Sequence, residues 1–338
     1  MSLLAVFALV GCTSSTAQPT ASATAAPERT GDEELLELSA GRFKDAVDQA
    51  ALAVIVDGEA RFAYISADAS TRFEIGSITK LFTGELFAEA IERGEVAESD
   101  SLGQYLDLGD SPAAAVTLIQ LATHSSGMPS HPSDPAWIER MNAAVAAGRS
   151  PYEESVEELL AEARTLEVKP DQGFEYSNIG AALLGQALAA AAGTDYATLL
   201  ERRLLRPLGL EGVELPVTVE NVSASLAQGH DENRRPVDPW PLGAYAPAGG
   251  IEATVGGLAA FAQAVLDGPL SGSVALEPAG AMGGSPSRIG YFWGISNATG
   301  RTITGHNGGT GGFVSVLMID REEQTAAIVL SNRIHGIE

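Results

Sequence analysis

Large apolar residues recur along this chain with two periods, and the switches between them map its elements. Leu35, Leu36, Leu38, Phe43 and Val47 are spaced as on one face of an amphipathic helix. Residues 50–56 and 61–65 then read as strands, with Asp57-Gly58 between them as a hairpin signal. From 77 to 93 the helical period returns, and Gly94 stands where a left-handed cap is expected. Ile78, Leu81, Phe82, Leu86, Phe87 and Ile91 cover most of this helix's circumference, which predicts burial in the core. Gly84 on the same helix would let a neighbouring element approach closely.

The middle of the chain reads as helical. Ser150-Pro151 with Glu153 and Glu154 predicts the start of a helix carrying Val156, Leu159 and Leu160. Residues 179–192 form an alanine-rich helix closed by Gly193, and Thr194 caps another that stops at Pro207. A further helix spans 254–267, closed by Gly268. Strands follow at about 289–296, 302–305, 313–319 and 325–330. Strands at both ends around a helical insert predict an α+β protein. Its sheet domain is drawn from residues 32–95 and 235–338, and an all-helical domain from 96–234.

The N-terminus differs in character. Residues 1–10 are almost wholly apolar but far shorter than the roughly 20 residues a spanning helix needs. They end in Leu9-Val10-Gly11-Cys12, which resembles a bacterial lipobox, so residues 1–12 are expected to be a signal peptide lipidated at Cys12. No Lys or Arg precedes the apolar run, so a true start further upstream is expected; a cleaved secretory signal with an incidental cysteine is the alternative. Cys12 is the single cysteine, so no internal disulfide can form. Residues 13–31, rich in Ser, Thr, Ala and Pro, are expected to be a disordered linker.

A formal charge of −24 argues against nucleic acid or an anionic membrane face as partner and fits a solvated acidic surface. No phosphate-binding loop, dinucleotide fingerprint or Gly-x-Ser-x-Gly elbow occurs, and no cofactor is expected. His131, His230 and His335 lack metal-ligand spacing, so no metal is expected either.

Three short segments carry the candidate chemistry. Ser77-Ile78-Thr79-Lys80 puts a hydroxyl and an amine three residues apart on one helix face, where the amine can take the hydroxyl's proton. Tyr176-Ser177-Asn178 and His306-Asn307-Gly308-Gly309 follow in the order found in serine–lysine acyl enzymes. With Phe73-Glu74-Ile75-Gly76, the stretch 118–129, Pro207-Leu208-Gly209-Leu210 and Ala246-Pro247-Ala248-Gly249-Gly250, the chain resembles the class C β-lactamase and D-alanyl-D-alanine carboxypeptidase family over roughly residues 54–332.

That resemblance implies a mainly antiparallel sheet covered by helices, with the site in the cleft between domains. It implies catalytic roles for Ser77, Lys80 and Tyr176, and substrate contacts from Asn178, His306 and Gly308. The backbone N–H groups of Ser77 and Gly309 would form the oxyanion hole. Lys80 or Tyr176 would be the general base, each with a pKa lowered from near 10, Lys80 by desolvation and Tyr176 by the nearby ammonium. His306 stands where relatives carry lysine, so carboxylate-bearing substrates should bind less well unless an arginine such as Arg288 or Arg301 compensates. His124 reads as a helix-terminal hydrogen-bonding residue, and Trp240 as either a cleft wall or core. Relatives usually end in a long helix after the last strand where this chain stops at 331–338, so either the sequence is truncated or one sheet face is incompletely covered, with reduced stability or exposed apolar surface expected.

The expected function is a serine hydrolase acting through a covalent acyl-enzyme on amide or ester bonds, with D-alanyl peptides or small esters as substrates. The alternatives are a β-lactamase or a non-catalytic penicillin- or cell-wall-binding protein. The expected form is a monomer at the bacterial cell surface, outside the cytoplasm, touching membrane only through the Cys12 anchor.

Overall fold

The computed structural model describes residues 26–333, apart from 46, 171, 284, 285 and 299. The N-terminal part supplies β1 (Arg29–Gly31), α1 (Glu33–Ser39), β2 (Ala50–Val56), β3 (Glu59–Ile65), β4 (Phe73–Glu74) and α2 (Thr79–Glu92). Helices α3 (Leu118–Ala122), α4 (Pro135–Ala146), α5 (Val156–Thr165), α6 (Asn178–Ala191) and α7 (Tyr196–Leu200) follow, and α7 runs into a π-helical turn at Glu201–Leu205. The remainder holds β5 (Val213–Glu214), α8 (Ala246–Gly249), β6 (Glu252–Ala253) and α9 (Val255–Leu266). It ends in β7 (Gly280–Ala281), β8 (Arg288–Ile289), β9 (Gly294–Ala298), β10 (Arg301–Gly309), β11 (Val314–Asp320) and β12 (Thr325–Ser331).

Nine strands form one antiparallel sheet in the order β1-β3-β2-β12-β11-β10-β9-β8-β7. The two ends of the chain meet in its centre, where β2 pairs with β12 in the register Ala53↔Ile328. Alternation sets the faces: Ala51, Ala53, Ile55, Ile328, Leu330, Leu317 and Ile319 point into the core. On the opposite face α1 and the turn after it bring Leu36 and Phe43 against Leu52 and Val329. Further along that face, Val56 and Met318 are 42% and 36% exposed.

Helices α2 and α9 cover the inner face. Phe82 of α2 stacks on Phe261 of α9 at 4.0 Å between ring centroids, and Trp293 stacks on Phe261 in turn. Gly84 is where α2 meets the chain before β9; a Cβ there would lie 2.2 Å from the Tyr291 carbonyl oxygen. The burial read from its sequence therefore holds for nearly the whole circumference of α2.

Several boundaries move. Residues 29–31, assigned to the linker, form edge strand β1, with Arg29 opposite Ile65. Helix α1 stops at Ser39, so the expected stripe through Val47 is not helical, and Leu38 within the helix is 74% exposed. Helix α5 starts at a Ser155 capping box rather than at Ser150-Pro151, because Ser155 and Glu158 satisfy each other's orphan N–H groups. Asp195 rather than Thr194 caps α7. The strand expected over 289–296 breaks after Ile289, where Gly290 N–H bonds the Trp293 carbonyl and Tyr291, Phe292 and Trp293 enter the core. The stretch from Val213 to His230, placed with the helical domain, bonds to the sheet half instead: β5 pairs with β6, Ala227 with Arg72, and His230 with Asn332. Cys12 with its lipobox, most of the linker and His335 lie outside the described residues.

Candidate active site

Ser77 sits in a 3-10 turn, Gly76–Ile78, immediately before α2. Gly76 has φ +49°, and a Cβ on it would lie 2.6 Å from the Gly309 nitrogen. Only glycine lets the turn press against the end of β10. Gly308 is a second such contact, since its Cβ would lie 1.9 Å from the Ile75 oxygen and 2.5 Å from Ser315 Oγ. Ser315 Oγ donates to the same Ile75 oxygen at 2.7 Å. Packing, rather than ligand approach, thus accounts for the missing side chain at Gly308. Gly309 is the exposed one, with nothing nearer its Cβ position than the Phe313 oxygen at 3.8 Å.

One turn into α2, Lys80 is fully buried. Its Nζ lies 3.2 Å from Ser77 Oγ, 2.8 Å from Asn178 Oδ1 and 2.6 Å from the Ala248 carbonyl oxygen. Tyr176 OH donates to Ser77 Oγ at 2.7 Å. The three segments singled out in the sequence therefore converge on one hydroxyl. Burial pushes the Lys80 amine down to about 7. Tyr176 moves the other way: burial raises its phenol to about 12, against a smaller lowering from the Ser77 bond. The expectation that both would be lowered is corrected for Tyr176, because taking the phenolate out of water outweighs its neighbours.

Tyr176 and Asn178 are held by the start of α6. Ser177 caps it, accepting from Gly180 N–H at 2.9 Å and donating to the Pro129 oxygen at 2.8 Å. His124, just past α3, accepts from Ser177 N–H through Nδ1 at 3.2 Å and packs its ring 4.5 Å from that of Tyr176. Burial lowers its pKa well below 6.5, so it supports the site as a neutral ring.

His306 lies on β10 with its ring 6.1 Å from that of Tyr176. Its Nδ1–H donates to the Asn307 oxygen, and burial with the Lys80 charge lowers its pKa to about 4. It presents a neutral acceptor, Nε2, rather than a cation. Arg301 is spent on Asp320 and Glu323 at 3.7 and 3.6 Å, and Arg288 is exposed on β8 with β9 between it and β10.

A cavity of about 50 Å³ opens beside Ser77, walled by Tyr152, Trp240, Leu242 and Tyr245. Trp240 is thus a wall of the cleft; Glu74 Oε1 anchors it by accepting its backbone N–H at 2.5 Å. Tyr152 and His131 carry no motif or period, and the sequence reading passed over them as parts of the site; Glu74 lies in the Phe73-Glu74-Ile75-Gly76 segment, which was given no role there.

A sequence model described as Beta-lactamase matches residues 37–338. The chain belongs to the Beta-lactamase family. Among curated family relatives, it is 33% identical over 145 residues to the D-alanyl-D-alanine-carboxypeptidase/endopeptidase AmpH of Escherichia coli K12, covering 40% of this chain and 35% of that protein. It is 26% identical over 254 residues to a Beta-lactamase of Lysobacter lactamgenus, covering 72% of this chain and 60% of that one. The chain thus spans about a third to three-fifths of these relatives' length. In structure it resembles the octameric penicillin-binding protein homologue from Pyrococcus abyssi, with a TM-score of 0.75 at 24% identity, covering 89% of this chain and 72% of that one. The fold and the serine hydrolase superfamily are those of the Beta-lactamase family.

Proposed function

We propose that this protein hydrolyses amide and ester bonds through an acyl-enzyme on Ser77, with D-alanyl peptides and small esters as its substrate class. One observation carries the reading: Lys80 faces two carbonyls as well as Ser77 Oγ, so that once the amine is neutral the hydrogen bonds can run in one direction. A neutral amine has two hydrogens and one lone pair. The carbonyls of Asn178 and Ala248 take the hydrogens, at 2.8 and 2.6 Å, which leaves the lone pair for Ser77 3.2 Å away. Tyr176 already donates to Ser77 Oγ, so the serine's own hydrogen is free to go to Lys80.

In the acylation step Ser77 Oγ attacks the substrate carbonyl carbon and its proton passes to Lys80 Nζ. The tetrahedral oxyanion is met by the N–H groups of Ser77 and Gly309, which the Gly76 contact brings together. Tyr176, a phenol at neutral pH, hands a proton to the departing amine or alkoxide and is resupplied from Lys80. Water then attacks the ester carbon by the same relay run backwards, releasing the acid and restoring Ser77.

The neutral His306 favours substrates without a carboxylate beside the scissile bond. That puts small esters ahead of D-alanyl peptides and β-lactams, which both carry a carboxylate beside the scissile bond. The carboxypeptidase/endopeptidase and β-lactamase relatives support the peptide and β-lactam readings. The site is further proposed to work outside the cytoplasm, on a monomer tethered through Cys12. No helix among the described residues is long and apolar enough to cross a membrane.

A fluorophosphonate and a fluorescent β-lactam test the reading directly. Both should label the protein at Ser77 and neither should label Ser77→Ala. Steady-state rates should then be highest on a nitrophenyl ester and lower on a D-Ala-D-Ala peptide and a chromogenic cephalosporin. Folded protein that neither probe labels would leave only a binding role.

A further inference from the structure

We propose that His131 is a positioning residue, whose unprotonated Nε2 receives the Asn178 amide and the Tyr152 phenol and so holds the Asn178 carbonyl on Lys80. The inference rests on the reading of Ser77 and Lys80 as nucleophile and base. Asn178 Oδ1 is turned to Lys80 at 2.8 Å, which leaves Nδ2 as a pure donor on its other side. Nδ2 faces two groups at 3.3 Å, Ser130 Oγ and His131 Nε2. A ring nitrogen facing an amide N–H must be the unprotonated one, so the neutral His131 carries its hydrogen on Nδ1. Tyr152 OH, 2.5 Å from the same Nε2, is then a donor as well. If Nε2 carried a proton, Tyr152 would have to turn acceptor and the Asn178 amide would face an N–H instead of a lone pair, giving Asn178 reason to flip and set N–H groups against the Lys80 amine.

The groups around His131 favour the neutral ring. Trp137 stacks on it at 5.3 Å, Tyr152 covers its edge, and Lys80 places positive charge behind Asn178. Glu154 pulls the other way, but its carboxylate is held by Arg140 at 2.6 Å and by Trp137 Nε1 at 3.1 Å. Desolvation and Lys80 prevail, and the pKa lies below 6.5. Tyr152 also walls the cavity beside Ser77, so one imidazole braces both the reactive amine and the substrate wall.

Two protonations should therefore silence the enzyme in acid, that of Lys80 and then that of His131. The test follows the rate of Ser77 labelling, and kcat/KM on a nitrophenyl ester, between pH 4.5 and 8. In the native chain the logarithm should fall with slope one below the Lys80 ionisation and steepen toward two in more acid solution. His131→Gln, whose carbonyl accepts but does not titrate, should keep rates within about threefold at pH 7.5 and hold slope one throughout. His131→Leu should lose roughly tenfold or more at pH 7.5, with the gap narrowing in acid as the native histidine protonates.

A second readout needs no turnover. Lys44, Lys80 and Lys169 are the chain's lysines, so selective labelling resolves the Lys80 ε-carbon by NMR. Loss of the aligned Asn178 acceptor disfavours the ammonium, so His131→Leu should titrate Lys80 lower by roughly half a unit to one unit, while His131→Gln leaves it in place. Identical Lys80 titrations in all three proteins would overturn the proposal whether or not Ser77 reacts. A native acid limb of slope one throughout would also overturn it. Failure of Ser77 to label in the native chain counts against the hydrolase reading instead, and the Lys80 titration still decides this one.

Discussion

Lys80 shows how one side chain's surroundings set its chemistry. Fully buried, it hydrogen-bonds two carbonyls and a hydroxyl, and no carboxylate pairs with it among the described residues. Desolvation therefore acts on its pKa with little opposition and brings it to about 7. A base works only when neutral, so kcat/KM should rise with pH through about 7 and level off above 8, as a pH–rate profile on an uncharged ester would show. Lys80→Arg keeps a cation that cannot deprotonate and should cost about a thousandfold or more in kcat. A flat profile from pH 5 to 9, or an active arginine variant, would remove Lys80 as the base. Much of this was legible beforehand, because Ser-x-x-Lys places both groups on one face whatever the rest of the fold does. His131 and Tyr152 were not: each sits in a loop, where spacing carries no information about what it will touch.

At the scale of elements, the site depends on how closely β10 lies on the turn before α2. Gly76, Gly308 and Ser315 make that contact without side-chain bulk between the two backbones. Gly308→Ala would drive a methyl to 1.9 Å from the Ile75 oxygen and lift the turn from the strand. Ser77 labelling should fall at least about a hundredfold, and the melting temperature should drop. Gly309→Ala places its methyl in open space and should fold normally, losing less than about tenfold on a small ester. Equal damage from the two substitutions would mean the glycines serve the ligand rather than the packing. The sequence marked both positions but not their difference, since strand parity relative to the Ile75 turn comes only from the folded register. The same limit explains the helix starts that moved: at 155 and 195 a cap was decided by which side chain reaches the orphan N–H groups.

For the whole molecule, the question is what holds chain-distant segments at one cleft. Buried Glu85 of α2 accepts from Trp293 Nε1 at 2.9 Å and from Ser273 Oγ, and burial raises its pKa to about 7. Between pH 4.5 and 7 the folded state keeps a proton that the unfolded chain has lost, so this group's contribution falls as pH rises through that window. Glu85→Gln should match the native protein at pH 5 and exceed it by about 2 kcal/mol at pH 8 in denaturant melts. The opposite end of the sheet relies on Asn332. Its Nδ2 donates to the carbonyls of Val47 and Gln228 at 3.0 and 2.7 Å, and its Oδ1 accepts from Gln49 N–H at 2.8 Å. One buried amide thereby joins the last strand's exit, the entry to β2 and the segment returning from the helical insert. Asn332→Ala would leave those three backbone groups unpaired, a loss of about 2–4 kcal/mol. Since Asn332 makes none of the contacts around Ser77, labelling at 10 °C should keep its native rate while the melting temperature falls. A variant that melts normally would show that strand pairing alone joins the chain's two ends. One that melts normally but labels slowly would place Asn332 in communication with the cleft.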